Sequence, residues 1–148
     1  MKEYNIESVR NIGIIGHGGT GKTSLTEAIL YNCKETDRVG RIEDGTTVCD
    51  YDPEEKKRQI SISVAVAPCE YSNHRLNFVD TPGYFDFVGE LIQGLKAVDA
   101  AIISTCAVSG LQVGTEKAWD YANKLKVPRA FFINKLDREN ANFEKVLE

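Results

Sequence analysis

The most informative part of the sequence is the glycine-rich segment GHGGTGKTS, residues 16–24. It matches the pattern G-x-x-x-x-G-K-[ST], in which glycines let successive backbone N–H groups turn towards phosphate oxygens. The apolar run NIGIIG at residues 11–16 comes before it and predicts a buried strand. After it, apolar positions recur at helical spacing, at Leu25, Ala28 and Ile29. A strand, a glycine-rich loop and a helix in this order predict a phosphate site that the helix N-terminus completes.

Each polar side chain of this loop has an expected role. The Lys22 ammonium is expected to bridge the outer phosphates, and the Thr23 hydroxyl to bind Mg²⁺. The residues that we predict to hold the phosphates are Gly16, His17, Gly18, Gly19, Thr20, Gly21, Lys22, Thr23 and Ser24.

A second motif, DTPG, follows the apolar run at residues 76–79. Its carboxylate, Asp80, stands at the carboxyl end of a predicted strand, where it can hold Mg²⁺ through water. Gly83 can offer its N–H to a terminal phosphate because no Cβ is in the way. Asp-x-Pro-Gly is common in turns, so the motif indicates a nucleotide site only in combination with the phosphate loop. Its predicted contributors are Asp80, Thr81, Pro82 and Gly83.

A third motif, NKLD at residues 134–137, follows the last predicted strand. The Asp137 carboxylate can accept two hydrogen bonds from N1–H and the N2 amine of guanine, a donor pair that adenine lacks. The Lys135 stem can lie along the base, and Asn134 can tie this loop to the phosphate loop. A helix cap at Asn134 or Asp137 is the alternative interpretation when the motif is considered alone.

Between the motifs, apolar patterns alternate between strand and helix. Strands are predicted at residues 60–66, where Pro68 would stop the strand, and at 76–79, 100–104 and 129–133. Helices are predicted after DTPG and at residues 115–125, the latter with Trp119 and Ala122 on one face. Residues 32–59 lack periodicity and predict a functional or mobile loop. The pattern predicts an α/β fold: a mostly parallel sheet, helices on both faces and one antiparallel edge strand, formed from the pair 60–67 and 76–79.

Composition limits the possible function classes. The length of 148 residues suits one domain. A net charge of −4 does not favour extensive electrostatic binding to the phosphates of nucleic acid. The four cysteines form no C-x-x-C pair, which argues against a zinc site. We predict a reducing cytoplasm, in which the cysteines are either small buried hydrophobes or inert surface thiols. We find neither an apolar leader nor a run of about 18 apolar residues that could span a membrane.

The three motifs in this order, with RQISI at 58–62 and GLQVGTE at 110–116, resemble translational GTPases, most closely the nucleotide-binding domain of elongation factor G. The resemblance implies a P-loop NTPase fold, with residues 1–148 as the N-terminal part of one GTP-binding domain whose last strand, last helix and later domains come after residue 148. It implies that residues 32–59 are a mobile segment of the switch I type, which orders around the γ-phosphate. It further implies GTP and GDP as ligands, Mg²⁺ held by Thr23, Ser61 and Asp80, and a ribosome partner engaged mainly by the later domains.

Three positions depart from the family pattern. The family usually has a histidine after DTPG that helps to position the attacking water, and here that residue is Tyr84, a donor phenol and a poor base at neutral pH. Gly18 and Gly19 replace an aliphatic and an acidic residue, and the aliphatic one would form an apolar gate with Ile60. Gln59 replaces a glycine. We hypothesise that the first two changes are linked: a glycine at 18 opens room for the Tyr84 ring, whose phenol then orients water.

Two functions follow from the resemblance. The first is a ribosome-stimulated GTPase in the cytoplasm, with Tyr84, Lys22 and Gly83 as its catalytic residues and no membrane or sequence-specific nucleic-acid partner. The second is a GTP-dependent ribosome-binding module in which hydrolysis is vestigial and Tyr84 is only a packed aromatic. A ribosomal-protection factor shares this domain, but such proteins resemble the usual family pattern more closely after DTPG.

Overall fold

A computed structural model describes residues 4–147 of the chain. Residues 1–3 and 148, the two ends of the predicted domain, lie outside the described residues. None of the helices within residues 4–147 has the length and apolar composition needed to cross a membrane.

A five-stranded sheet forms the centre of the fold, in the order β2-β3-β1-β4-β5. β1 pairs in parallel with β3 and β4, β4 pairs in parallel with β5, and only β2 and β3 are antiparallel. This confirms the predicted mostly parallel sheet with one antiparallel edge strand. The strand bounds are β1 Val9–Gly16, β2 Ala65–Tyr71, β3 His74–Asp80, β4 Ala100–Cys106 and β5 Arg129–Asn134.

Helices cover both faces of the sheet, as the pattern predicts. Their bounds are α1 Lys22–Asn32, α2 Pro53–Arg58, α3 Val88–Lys96, α4 Val113–Lys124 and α5 Phe143–Leu147, with short 3₁₀ turns at Ile6–Ser8 and Phe85–Phe87. Successive residues of a strand face opposite sides, so Ile14 packs with Leu30 of α1 whereas Ile15 packs with Leu95 of α3. The two cores on either side of β1 hold the carboxyl ends of β1, β3, β4 and β5 at one edge of the sheet.

The predicted strand at residues 60–66 is wrong in position. Residues 60–64 are not in a strand, and β2 begins at Ala65 and continues through Pro68 to Tyr71. Pro68 does not end the strand, because β2 is an edge strand and proline is tolerated there. Ser72 and Asn73, both at positive φ, form the two-residue turn into β3.

The loop predicted at residues 32–59 contains a helix that periodicity did not reveal. α2 has six residues, too few to show an apolar face, and local chemistry starts it instead. The Asp52 side chain caps it, Pro53 occupies its first turn, and the Asp52 N–H donates to the Glu55 carboxylate. Whether the segment is mobile stays a prediction.

Trp119 does not share the buried face of α4 with Ala122. Ala118 and Ala122 are buried, whereas Trp119 is 40% exposed and stacks on Phe131 of β5 with ring centroids 5.6 Å apart. The Arg129 guanidinium lies 3.8 Å from the Trp119 ring. Ala118 and Ala122 are four residues apart and share the face of α4 that packs in the core, so Trp119 lies beside that face.

Candidate nucleotide and magnesium site

The phosphate loop joins β1 to α1 at the carboxyl edge of the sheet. Three glycines of the loop have positive backbone φ angles, which residues other than glycine rarely adopt. These angles are 134° at Gly16, 75° at Gly19 and 91° at Gly21. Gly21 occupies the N-cap position of α1 and has no side chain, so no side chain from this position accepts hydrogen bonds from the N–H groups of the first helical turn. A helix start of this kind suits an anion.

Lys22 is buried in the loop that it would serve. Its ammonium donates to the His17 carbonyl at 2.8 Å, and only 6% of the residue is exposed. Burial lowers the pKa of Lys22 to about 8, although the nearby carboxylates of Asp80 and Asp50 act to raise it. An anion beside the ammonium would restore the charge that burial disfavours.

Thr23, Ser61 and Asp80 come together from three different segments of the chain. The Thr23 and Ser61 hydroxyls lie 3.1 Å apart, one from the first turn of α1 and the other from the residues between α2 and β2. Asp80 ends β3, and both of its carboxylate oxygens are buried without a hydrogen-bond partner. Burial raises the pKa of Asp80 to about 7, although the Thr23 hydroxyl and the Lys22 ammonium oppose that rise. Two hydroxyls beside an unpartnered buried carboxylate are a donor set that fits Mg²⁺.

Asp50 joins this group, although it belongs to none of the three sequence motifs. It is 4% exposed, one of its oxygens has no partner, and the Thr47 hydroxyl donates to the other at 3.4 Å. Burial raises its pKa, against the adjacent hydroxyls of Ser61 and Thr47. It lies in the non-periodic segment 32–59, where only its chemical type could have singled it out.

A cavity of about 90 Å³ lies between the phosphate loop and the segments that follow α2 and β3. Many of the predicted site residues line it, namely Gly18, Gly19, Gly21, Lys22, Thr23, Ser61, Gly83 and Tyr84. Ile42, Asp50, Gln59 and Ile60 also line it. Gly83 packs tightly on the loop, and a Cβ there would lie 2.5 Å from the Gly18 nitrogen.

Several other predicted site residues do not line this cavity. The Thr81 hydroxyl donates to the Ile14 carbonyl at 2.9 Å, and the Thr20 hydroxyl donates to the His17 carbonyl at 3.0 Å. His17 packs against Gly114 at the start of α4, with its Nδ1 buried and unpartnered. Gly16, Ser24, Asp80 and Pro82 are not among the residues that line the cavity.

The NKLD loop follows β5 and is joined to the phosphate loop. The Asn134 amide donates to the Thr20 carbonyl at 3.0 Å, and the Lys135 ammonium donates to the Gly19 carbonyl at 2.6 Å. Lys135 has φ 62°, which turns the chain sharply after the strand. The Asp137 side chain is 81% exposed, beside Arg138. This exposure leaves the carboxylate accessible to a base.

Comparison with known proteins supports what this geometry indicates. Residues 7–148 match the family described as the elongation factor Tu GTP binding domain. The chain belongs to this GTP-binding domain family. Its fold is that of a P-loop NTPase, and its family takes part in translation.

Relatives of this GTP-binding domain are much longer proteins. Elongation factor G of Dehalococcoides mccartyi strain BAV1 is 43% identical over 146 residues, 99% of this chain and 21% of the relative. The mitochondrial ribosome-releasing factor 2 of Scheffersomyces stipitis is 40% identical over 147 residues, 99% of this chain and 17% of the relative. A crystal structure of a Thermus thermophilus protein has a TM-score of 0.91 and 44% identity, covering 95% of this chain and 21% of that one. The chain thus spans about a fifth of these relatives.

Within this GTP-binding domain, Tyr84 lies against Gly18. Gly18 has no positive φ, so its backbone conformation does not require glycine. A Cβ at this position would lie 2.9 Å from both Cε2 and Cζ of the Tyr84 ring. The ring is 43% exposed and lines the cavity with Ile60. The tyrosine, and not the backbone, makes a side chain at position 18 unfavourable.

Proposed function

We propose that this domain binds GTP and GDP with Mg²⁺ and hydrolyses GTP. The observation that carries the proposal is the meeting of Thr23, Ser61 and the unpartnered Asp80 beside the phosphate loop. Three segments supply these groups, and no pairing among them satisfies the buried carboxylate. A cation and a phosphate chain would satisfy both the carboxylate and the uncapped start of α1.

Thr23, Ser61 and Asp80 are the residues that would hold Mg²⁺, and Asp50 lies beside them. When bound, the ion neutralises charge that develops on the phosphate oxygens. Lys22 holds the outer phosphates by its ammonium, and Gly83 offers an N–H without a Cβ. Phosphoryl transfer depends mainly on how accurately the reacting groups are positioned. The rate is therefore expected to depend more on the packing around the cavity than on the acidity of any one side chain.

Guanine selectivity is assigned to the NKLD loop. Asp137 accepts from the base, the Lys135 stem covers it, and Asn134 holds the loop in place through Thr20. An adenine base would leave the Asp137 carboxylate without its donors. The loop thereby joins base recognition to the phosphate loop by two hydrogen bonds.

Tyr84 is proposed to orient the attacking water through its phenol. It lines the cavity with Lys22 and Gly83, the other two proposed catalytic residues. The second candidate function, a GTP-dependent ribosome-binding module with vestigial hydrolysis, is favoured by the same residue, because a phenol is a poor base at neutral pH. In that case Tyr84 is a packed aromatic on Gly18.

The whole protein is proposed to be a cytoplasmic translation factor of the elongation factor G type. Two of its relatives are named elongation factor G and ribosome-releasing factor 2. Because the chain spans about a fifth of them, ribosome contacts are assigned mainly to parts of the protein beyond these residues.

The test is titration of the intact protein with fluorescent GTP and ATP analogues in Mg²⁺, followed by measurement of phosphate release with and without ribosomes. We expect guanine-selective binding and ribosome-stimulated release. The D137N variant is expected to lose at least about tenfold of its preference for guanine over adenine. Binding without release would favour the vestigial alternative, and equal binding of both analogues would contradict the proposal.

A further inference from the structure

Glu55 is a buried acidic residue in a helix of charged, exposed neighbours. Only 1% of its surface is exposed, whereas the Glu54 side chain is 51% exposed and pairs with Arg58. A charged side chain is rarely buried this completely unless each oxygen has partners. The hydrogen bonds of Glu55 show where the partners come from.

The Glu55 carboxylate connects the two ends of α2. One oxygen accepts the Asp52 N–H at 3.1 Å, which completes the capping box at the helix start. The other accepts the N–H groups of Ile62 and Ser63 at 2.9 and 3.0 Å, beyond the helix end. A capping box accounts for the first bond alone. The second oxygen therefore holds the segment that runs from α2 towards β2.

Ser61 lies within the segment that Glu55 holds. The Ile60 N–H donates to the Glu55 carbonyl at 3.2 Å, so hydrogen bonds to Glu55 flank Ser61 on both sides. The Ser61 hydroxyl is 3.1 Å from the Thr23 hydroxyl. The position of that hydroxyl relative to α2 therefore depends on the bonds that Glu55 makes to the neighbouring backbone, and its contact with Thr23 joins the segment to α1.

We propose that Glu55 is a positioning residue that places the Ser61 hydroxyl at the Mg²⁺ and γ-phosphate end of the site. This inference rests on the proposed function, because Ser61 matters there only if a cation and a triphosphate bind. Since contacts to the γ-phosphate and its Mg²⁺ order such segments, losing Glu55 should weaken triphosphate binding more than diphosphate binding.

The experiment compares E55Q with E54Q in the intact protein. Glutamine keeps the size of Glu55 but must turn an NH₂ group towards backbone N–H donors, whereas residue 54 is an exposed control. Amide hydrogen exchange at Ile62 and Ser63 reports whether the segment is held. Binding of GDP and of a non-hydrolysable GTP analogue is measured over a range of Mg²⁺ concentrations, also in S61A and E55Q/S61A.

We expect E55Q to lose exchange protection at Ile62 and Ser63 and to bind the GTP analogue about tenfold more weakly, with GDP affinity within about twofold. Its Mg²⁺ requirement should rise, S61A should weaken analogue binding similarly, and the double variant should lose little more than either single variant. E54Q should resemble the wild type.

Two results would overturn the proposal: unchanged protection in E55Q, or lost protection with unchanged preference for the triphosphate. An equal loss of affinity for GDP and for the GTP analogue would indicate a general structural role for Glu55 and would also overturn the proposal. If E55Q does not fold, E55D, which keeps the charge but shortens its reach, is measured in the same way. If the wild type itself shows no Mg²⁺-dependent triphosphate binding, the proposed function fails, and with it the role of Ser61, whatever the exchange data show.

Discussion

Gln59 adopts a backbone conformation that suits glycine. It ends α2 with φ 56° and ψ 37°, in the left-handed region where a Cβ is unfavourable. Its amide donates to the Glu43 carbonyl at 3.4 Å, a long and exposed hydrogen bond. This conformation explains why the family usually has glycine at this position, because glycine adopts a positive φ without strain.

We predict that Q59G stabilises the protein by about 0.5–1 kcal/mol, because the relief of left-handed strain exceeds the entropy that glycine adds to the unfolded chain. Denaturant unfolding of the intact protein measures this change. K57G, at an exposed right-handed position of α2, should instead destabilise by about 1 kcal/mol. A Q59G variant less stable than the wild type would contradict the argument.

Gly18 and Tyr84 should behave as a coupled pair. A methyl group at position 18 would displace the Tyr84 ring, so G18A is expected to lower the proposed ribosome-stimulated GTP hydrolysis by about 10- to 100-fold. In a Y84A background the same substitution should change the rate little. G89A, at an open position in α3, is the control. Equal effects of G18A with and without Tyr84 would show that the two residues act separately.

Asp80 should reduce stability when no cation is present. Burial raises its pKa to about 7, so at pH 8 the folded protein holds a charged carboxylate without a hydrogen-bond partner. In nucleotide-free protein with EDTA at pH 8, D80N should stabilise by on the order of 2 kcal/mol. The raised pKa means that this penalty grows as pH rises towards 7 and is nearly absent below about pH 4.

Thermal unfolding at pH 4 and pH 8 measures that difference, and the same D80N protein should lose the Mg²⁺ dependence of GTP binding. A variant that is destabilised in EDTA and still binds GTP in a Mg²⁺-dependent manner would exclude Asp80 from the proposed metal site.

On the scale of elements, the segment between α1 and β2 is anchored by a second buried glutamate. Glu27 of α1 is 1% exposed, and its carboxylate accepts the N–H groups of Gly40 at 3.1 Å and Val48 at 2.6 Å. Glu27 holds the first half of this segment, as Glu55 holds the second. Glu27 thus attaches the segment to α1, whereas the bonds of Glu55 lie within the segment and fix its shape.

We predict that E27Q loosens the first half of the segment, because glutamine keeps only one accepting oxygen and must turn its NH₂ group towards the other backbone donor. Hydrogen exchange at Gly40 and Val48 should rise by about tenfold or more, while exchange in β1 stays unchanged. E116Q, at an exposed position of α4, is the control. Unchanged exchange at Gly40 and Val48 would show that other contacts hold residues 40–48.

On the scale of the whole molecule, the two edges of the sheet differ. β2 carries Pro68, which interrupts edge pairing, whereas β5 has no proline and exposes Phe131 and Phe132 by 50% and 38%. An apolar edge strand of this kind favours pairing with another chain. In longer relatives this domain accounts for about a fifth of the protein.

We predict that residues 1–148 expressed alone self-associate through β5. Light scattering should show a concentration-dependent increase in mass, and F131K should reduce it. V66K, at an exposed position on the opposite edge strand β2, should not. A monomer at high concentration would contradict this view of the β5 edge.

Local sequence patterns are sufficient to predict the fold class and to place the three motifs along one edge of the sheet. Residues 16–24, 80–83 and 134–137 each follow a strand whose apolar run is unmistakable, and parallel strands bring their carboxyl ends together. These patterns do not reveal α2 or the true start of β2, because a six-residue helix and an edge strand containing proline carry too little periodicity.

Which acidic side chains are buried depends on tertiary packing. Asp50, Glu27 and Glu55 belong to none of the three nucleotide motifs, and they are buried because the segment from residue 32 to 64 folds back on α1. The same holds for the close contact of Tyr84 with Gly18, residues 66 positions apart in the sequence. Periodic local patterns depend on neighbours a few residues away, whereas these contacts depend on long-range packing that no local pattern encodes.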